Sequence, residues 1–239
     1  NKLVIVINDP CHNPTGYSLS QQEWDEVIDY LNECGKKVPV VLLNDIAYID
    51  YSYRGKAARD YIKTFDRISE HVFVVIAFSI SKSMTSYGMR CGAAILMAQK
   101  EESVREVEIV FEKAARAIWS NVNNAAMENF VTVVTDNKAA YEAEKDEYVD
   151  LLKERSDIFT SEADACGLEY YPYKEGFFVT VKIEDNNVRN AYHEALMKEH
   201  IYTVMVNKGI RVAVCSLPVE KCKGLAARMK KILDEVTAA

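Results

Sequence analysis

Four short stretches of this 239-residue chain gather side chains able to hold an anion, a carboxylate or a reactive amine. The first is Asn8-Asp9-Pro10-Cys11-His12-Asn13-Pro14-Thr15-Gly16. Two prolines and a glycine fix a turn there, and Pro14 pushes Asn13 into an extended conformation with its amide presented outward. The same residues also suit an ordinary strand-to-helix loop. Cys11-His12 could suggest a thiol nucleophile, but side chains adjacent in sequence rarely face each other. The second stretch is Asn44-Asp45-Ile46-Ala47-Tyr48. A carboxylate at the end of a buried strand is costly unless it meets a cation or donor, either a protonated ring nitrogen or a neighbouring Arg. The third is Ser79-Ile80-Ser81-Lys82-Ser83, followed by Tyr87-Gly88-Met89-Arg90. Hydroxyls, a lysine and an arginine at a strand end make an anion site. A lysine in such a loop is usually solvated, and the arginine placed just before an apolar strand weakens that reading. The fourth is Ile210-Arg211-Val212-Ala213-Val214. A period of two places Arg211 on the same face as Ala213 and Cys215, with room for a planar carboxylate; a structural salt bridge is the alternative.

The elements that must position these groups are legible from apolar patterning. Residues 2–7, 38–43, 72–78 and 91–97 are β-rich apolar runs without polar alternation, which implies strands buried on both faces of a mostly parallel sheet. Residues 18–34 read as a helix with Ser20 at its N-cap, Glu23 three positions on, and Trp24, Val27, Ile28 and Leu31 on one face. That completes a βαβ unit. Only about a dozen residues without a helical pattern separate the third and fourth runs, too few for a parallel crossover, so the fourth strand is expected to run antiparallel. Helices follow over residues 101–118, 124–135 and 137–165. Then come short strands over 168–171 and 176–183, a helix over 188–199, a strand over 210–214 and a last helix from Pro218 to about residue 236. In an open α/β sheet ligands bind beyond the carboxyl ends of the strands, where the first three stretches fall. The expected architecture is therefore α/β: a large domain over residues 1–124 and a smaller α+β domain over 125–239.

Composition narrows the function classes. The chain has 29 Lys and Arg against 36 Asp and Glu, a net charge of −7, with 49% hydrophobic and 27% charged residues. That is an ordinary globular composition, and its acidic balance argues against a general nucleic-acid or membrane-surface partner. The longest apolar run, residues 72–78, is far too short to span a membrane. The six cysteines (Cys11, Cys34, Cys91, Cys166, Cys215 and Cys222) form no CxxC pair. They fit buried thiols of a reducing compartment, the cytoplasm, rather than a disulfide framework or a metal site.

Taken in order, Asn-Pro-Thr-Gly, Asp-x-x-Tyr after the next strand, Ser-x-Ser-Lys with an Arg eight residues on, and an Arg in a late strand resemble the class I/II aminotransferases. These are fold-type I enzymes dependent on pyridoxal 5'-phosphate. Cys11-His12-Asn13-Pro14-Thr15-Gly16 and Arg116-Ala117-Ile118-Trp119-Ser120-Asn121 are most similar to the aspartate and aromatic branch. The resemblance implies that Lys82 forms the internal aldimine, that Asp45 keeps the pyridine nitrogen protonated, and that Tyr48 with Asn13 hydrogen-bonds the ring hydroxyl. It implies that Ser79 and Arg90 grip the phosphate, with Ser81 beside them, and that Arg211, helped by Asn13, clamps the substrate α-carboxylate. Arg116 aligns with the arginine that reaches across a homodimer to a side-chain carboxylate, although Asn123-Asn124 stands where a proline pair is usual.

The implied reaction is transfer of an amino group between aspartate, glutamate or an aromatic amino acid and a 2-oxo acid. A fold-type I lyase and a non-catalytic effector-binding domain of a transcription regulator are the competing readings. The match begins at the strand preceding Asn13, so the chain is expected to be the C-terminal part of such an enzyme, with an incomplete sheet.

Overall fold

The computed structural model describes residues 1–238 as two compact units. The first comprises Asn1–Pro10, Leu19–Asp50 and Arg54–Ala143. Its sheet has strands β1 (Leu3–Asn8), β2 (Val40–Asp45), β3 (Val72–Ser79) and β4 (Gly92–Met97) in that spatial order. β1, β2 and β3 are parallel, and β4 is antiparallel to β3, as its short connection requires. Helix α1 (Gln21–Gly35) starts at the expected capping box, in which Ser20 and Glu23 satisfy each other's backbone N–H groups. It buries Trp24, Ile28 and Leu31 against Leu3, Ile5, Ile7, Val40, Leu42, Val72, Val74 and Ile76 of the sheet. Each such side chain contributes about 1.5–3 kcal/mol on leaving water.

The connection from β2 to β3 contains a 3₁₀ segment, Gly55–Arg67. Its buried residues are Ala58, Tyr61, Thr64 and Phe65. Tyr61 stacks on Trp24 at 4.7 Å between centroids, so this segment shares the face that α1 covers. The expectation of burial on both faces fails in β1, where Val4 and Val6 are 55% and 66% exposed. The reason is that the covering elements α1 and Gly55–Arg67 both pack on the side of Leu3, Ile5 and Ile7. A helical turn, α2 (Ile80–Ser83), follows β3 where no helix was expected. Helices α3 (Glu101–Ile118), α4 (Asn124–Thr135) and α5 (Lys138–Cys166) come next, and none of α3's side chains is buried.

The second unit comprises Cys11–Ser18, Tyr51–Tyr53 and Glu144–Ala239. Residues 125–143, assigned by sequence to the smaller domain, group with the first unit. Its sheet, in the order β5-β7-β6, joins β5 (Phe178–Lys182), β7 (Gly209–Ala213) and β6 (Val204–Val206), all neighbours antiparallel. Val179, Val181, Ile210 and Val212 pack in one core with Leu152, Phe159 and Ala163 of α5 and with Tyr192 and Leu196 of α6 (Asn186–Lys198). The expected strand over 168–171 reduces to a single bridge, Tyr170 to Val181. The expected last helix is two, α7 (Val219–Cys222) and α8 (Leu225–Ala238), broken at Gly224, whose N–H donates to Glu162.

Among the described residues no helix is long and apolar enough to cross a membrane. Nor does any group of three or more His, Cys, Asp or Glu there suit a metal ion.

Candidate active site

In the first unit the functional side chains gather beyond the carboxyl ends of β2 and β3. Parallel strands end on the same side of the sheet, and the register pairs Asp45 with Ala77, two residues short of Ser79. Asp45 Oδ1 accepts from the Ala47 N–H at 3.0 Å, while its main-chain oxygen accepts from Asn8 Nδ2 and from the Asp9 N–H, each at 3.1 Å. Those bonds hold both backbone and carboxylate. Tyr48, three residues on, is buried.

At the end of β3, Ser79 caps α2, its Oγ accepting from the Ser81 N–H at 3.2 Å. The cap turns the chain so that Lys82 emerges in the next turn. Lys82 Nζ lies 4.5 Å from the centre of the Tyr87 ring and 6.0 Å from that of Tyr48. Arg90 adopts a left-handed backbone and donates through Nη1 to Tyr87 O at 2.6 Å and Ser81 Oγ at 3.2 Å. Its guanidinium carbon stands 5.1 Å from the Tyr87 ring centre. Thus Asp45, Tyr48, Ser79, Ser81, Lys82 and Arg90 all lie on two adjacent strand ends and the turn that follows them. Tyr87, named in the sequence but given no role, is the aromatic wall between the two cations. The signal available was its place between Lys82 and Arg90.

In the second unit Asn13 meets Arg211. Arg211 sits in the middle strand of the small sheet, opposite Thr180 of β5 and Val204 of β6. Its Nη1 donates to Asn13 Oδ1 at 2.8 Å, and its guanidinium carbon lies 4.3 Å from the Phe178 ring centre. Arg211 Nε is buried without a hydrogen-bond partner, so the fork retains a donor for a planar anion. Ala213 shares the strand face as expected, but Cys215 does not: it lies in a 3₁₀ turn, Val214–Ser216, beyond the strand end.

The turn bearing Asn13 is held on several sides. Thr180 Oγ1 donates to Pro14 O at 2.6 Å, and the N–H groups of Lys174 and Glu175 donate to Gly16 O at 2.8 and 3.0 Å. Gly16 has φ +70°, and a Cβ there would overlap the Tyr173 ring and come within 2.6 Å of Phe178 O. Only glycine fits. His12 Nδ1 is 2.7 Å from Thr15 Oγ1, and burial pushes its pKa below the ordinary value, so the ring is neutral at pH 7. Cys11 is buried; its N–H donates to Ser18 Oγ, and His12 engages Thr15. Arg116 is exposed at the last turn of α3, with Nη1 donating to Ser120 Oγ at 2.6 Å. Its guanidinium binds the end of its own helix.

A sequence model of the class I and II aminotransferases matches residues 1–229. The chain belongs to that family. Among its relatives, an aspartate aminotransferase of Pseudomonas aeruginosa is 30% identical over 157 residues, covering 63% of this chain and 37% of that protein. The mitochondrial aspartate aminotransferase P2 of Lupinus angustifolius is 23% identical over 241 residues, covering 93% and 48%. The chain spans half the length or less of these curated relatives. The crystal structure of an aminotransferase from Anaerococcus prevotii superposes with a TM-score of 0.91 at 36% identity, over 97% of this chain and 56% of that one. An aromatic-amino-acid aminotransferase of Burkholderia pseudomallei, covalently bound to pyridoxal phosphate, shares the fold with a TM-score of 0.74 at 23% identity, over 96% and 56%.

Two residues that carried no signal in the sequence stand beside Arg211. Phe178 supplies the ring under the guanidinium, and Thr180 ties Pro14 to β5. Neither carried a charge or a motif to mark it.

Proposed function

We propose that this chain carries the cofactor and substrate groups of a pyridoxal-phosphate-dependent aminotransferase that moves an amino group between an amino acid and a 2-oxo acid. The observation that carries the reading is the cluster beyond β2 and β3: an amine (Lys82), a carboxylate (Asp45), and a guanidinium bonded to a serine hydroxyl (Arg90 to Ser81) next to a second serine (Ser79). That donor set fits pyridoxal phosphate group by group. Ser79, Ser81 and Arg90 would hold a phosphate, Asp45 would pair with a protonated pyridine nitrogen, Tyr48 and Asn13 would bond the ring hydroxyl, and Lys82 would carry the cofactor covalently. When bound, pyridoxal phosphate delocalises the electron pair left on the substrate Cα.

The residues of the chain do the remaining work. Arg211 and Asn13 take the α-carboxylate and orient the Cα–H bond. As a free amine, Lys82 Nζ would take the proton from the substrate Cα as general base and, as general acid, deliver it to the cofactor carbon that bonds the amino nitrogen. Asp45 keeps a positive charge where negative charge develops. Aspartate, glutamate and aromatic amino acids are the donors that the related proteins suggest. In a dicarboxylate-specific enzyme Arg116 would leave Ser120 for the substrate's second carboxylate.

Homodimerisation is supported by α3, which exposes Ile109, Val110 and Phe111 and buries no side chain. Thiol-rich composition with no disulfide framework supports a reducing compartment, the cytoplasm.

Replacing Lys82 by Ala tests the reading. Transfer of label from ¹⁵N-glutamate to a 2-oxo acid is expected to fall by at least about 10³-fold, because both the covalent attachment and the proton shuttle are lost. Transfer at the wild-type rate would remove Lys82 from the reaction.

A further inference from the structure

We propose that Thr180 is a positioning residue for carboxylate recognition, acting on Arg211 through the turn that bears Asn13. The inference rests on the aminotransferase reading above and adds to it a residue outside the family motifs. Thr180 is buried, 1% exposed, and lies directly opposite Arg211 in the β5–β7 ladder. Residues opposite each other in an antiparallel pair put their side chains on the same face, about 5 Å apart. Here the two reach consecutive residues of one turn. Arg211 Nη1 bonds Asn13 Oδ1 at 2.8 Å, and Thr180 Oγ1 donates to Pro14 O at 2.6 Å.

The second bond bears on the first. Pro14 has no N–H, so its carbonyl is the only backbone hydrogen-bonding group with which it can be anchored. Lys174 and Glu175 anchor the turn at Gly16, two residues further from Asn13. Thr180 therefore anchors the Pro14–Thr15 peptide on one side of Asn13. On the other side the Gly16 N–H donates to the His12 carbonyl at 2.7 Å and the His12 N–H donates to Tyr17 O at 2.8 Å; together these bonds set the distance between Asn13 Oδ1 and the Arg211 fork. The guanidinium plane is held from below by the Phe178 ring at 4.3 Å and from the side by Asn13. Arg211 Nε, buried and without a partner, is the donor whose direction this arrangement sets. Without the Thr180 hydroxyl the turn can shift, the Asn13 support for Nη1 loosens, and a carboxylate meets a fork of variable orientation. The ligand class affected is every α-carboxylate, in amino acids and 2-oxo acids alike, whatever the side chain.

The test uses the full chain loaded with pyridoxal phosphate, with 2-oxoglutarate as the probe. Thr180→Val is close to isosteric and lacks the hydroxyl; Thr180→Ser keeps it. Calorimetric Kd values for 2-oxoglutarate and KM values for the amino donor are expected to rise about tenfold in Thr180→Val. We expect kcat and the cofactor absorbance to stay within about twofold of the unaltered protein, with Thr180→Ser near wild type. Should the valine variant not fold, Thr180→Ala gives the same comparison. Unchanged affinity in the hydroxyl-less variant, loss confined to kcat, or a serine variant as weak as the valine one would each overturn the role. Failure of the unaltered protein to bind 2-oxoglutarate would overturn the aminotransferase reading along with it. Normal binding with an indifferent Thr180→Val overturns this inference alone.

Discussion

Asn13 and Arg211 lie 198 residues apart in sequence and are joined by a 2.8 Å hydrogen bond from Nη1 to Oδ1. The bond leaves Arg211 Nε without a protein partner, and the ring of Phe178 lies alongside the guanidinium. A planar fork held this way recognises a carboxylate through two parallel N–H donors, which an ammonium cannot reproduce. Arg211→Lys is therefore expected to raise KM for the amino donor and the 2-oxo acid together by roughly 30–100-fold, the equivalent of ~2–3 kcal/mol. Steady-state kinetics with both substrates check it. A change in kcat at constant KM would mean that Arg211 does not bind the substrate.

Gly16 is the tightest point of the Asn13 turn. Its φ of +70° suits glycine, and a Cβ would run into Tyr173 and the Phe178 carbonyl. Gly16→Ala is expected to cost about 1–3 kcal/mol. That lowers Tm by roughly 3–10 °C in a chain of this size. A thermal melt that shows no change would mean that the turn relaxes freely.

Tyr53 gives a pH signature. Burial pushes its hydroxyl from the ordinary 10.0 up to about 12. Its OH is 2.9 Å from Ser156 Oγ and 2.8 Å from Tyr173 OH. Above pH 10 the unfolded chain has lost a proton that the folded chain keeps, so stability falls as pH rises from 10 towards 12. Tyr61, Tyr173 and Tyr192 are raised by burial as well and act in the same direction. In urea titrations across that range, Tyr53→Phe is expected to flatten the slope by up to about 1.4 kcal/mol per pH unit, one proton's share. An unaltered slope would place the Tyr53 hydroxyl in water.

Much of this architecture could be read from local sequence because local forces set it. Runs such as residues 72–78 favour strands, Ser20 and Glu23 cap α1, and the short link before residue 91 rules out a parallel crossover. Asp45, Ser79, Lys82 and Arg90 were singled out because strand ends are where ligands bind in such a sheet. What escaped the sequence depends on partners distant in the chain. Val204–Val206 is a strand because β7 is beside it, and residues 168–171 fall short of one because only Tyr170 finds a partner. Gly55–Arg67, which buries Ala58, Tyr61, Thr64 and Phe65, was passed over as an element because it lies between two strands in a segment rich in charged residues. Val4 and Val6 look like core residues by type, and only the three-dimensional packing puts α1 on the opposite face. Thr180 is the same case in the site: nothing near it in sequence announces a bond to a proline 166 residues away.

The most direct measurement is borohydride reduction of the full chain incubated with pyridoxal phosphate, followed by peptide mapping by mass spectrometry. A single reduced adduct is expected on Lys82, lower in yield in Arg90→Ala and absent from Lys82→Ala. An adduct on another lysine, or none on Lys82 in the full chain, would contradict that expectation.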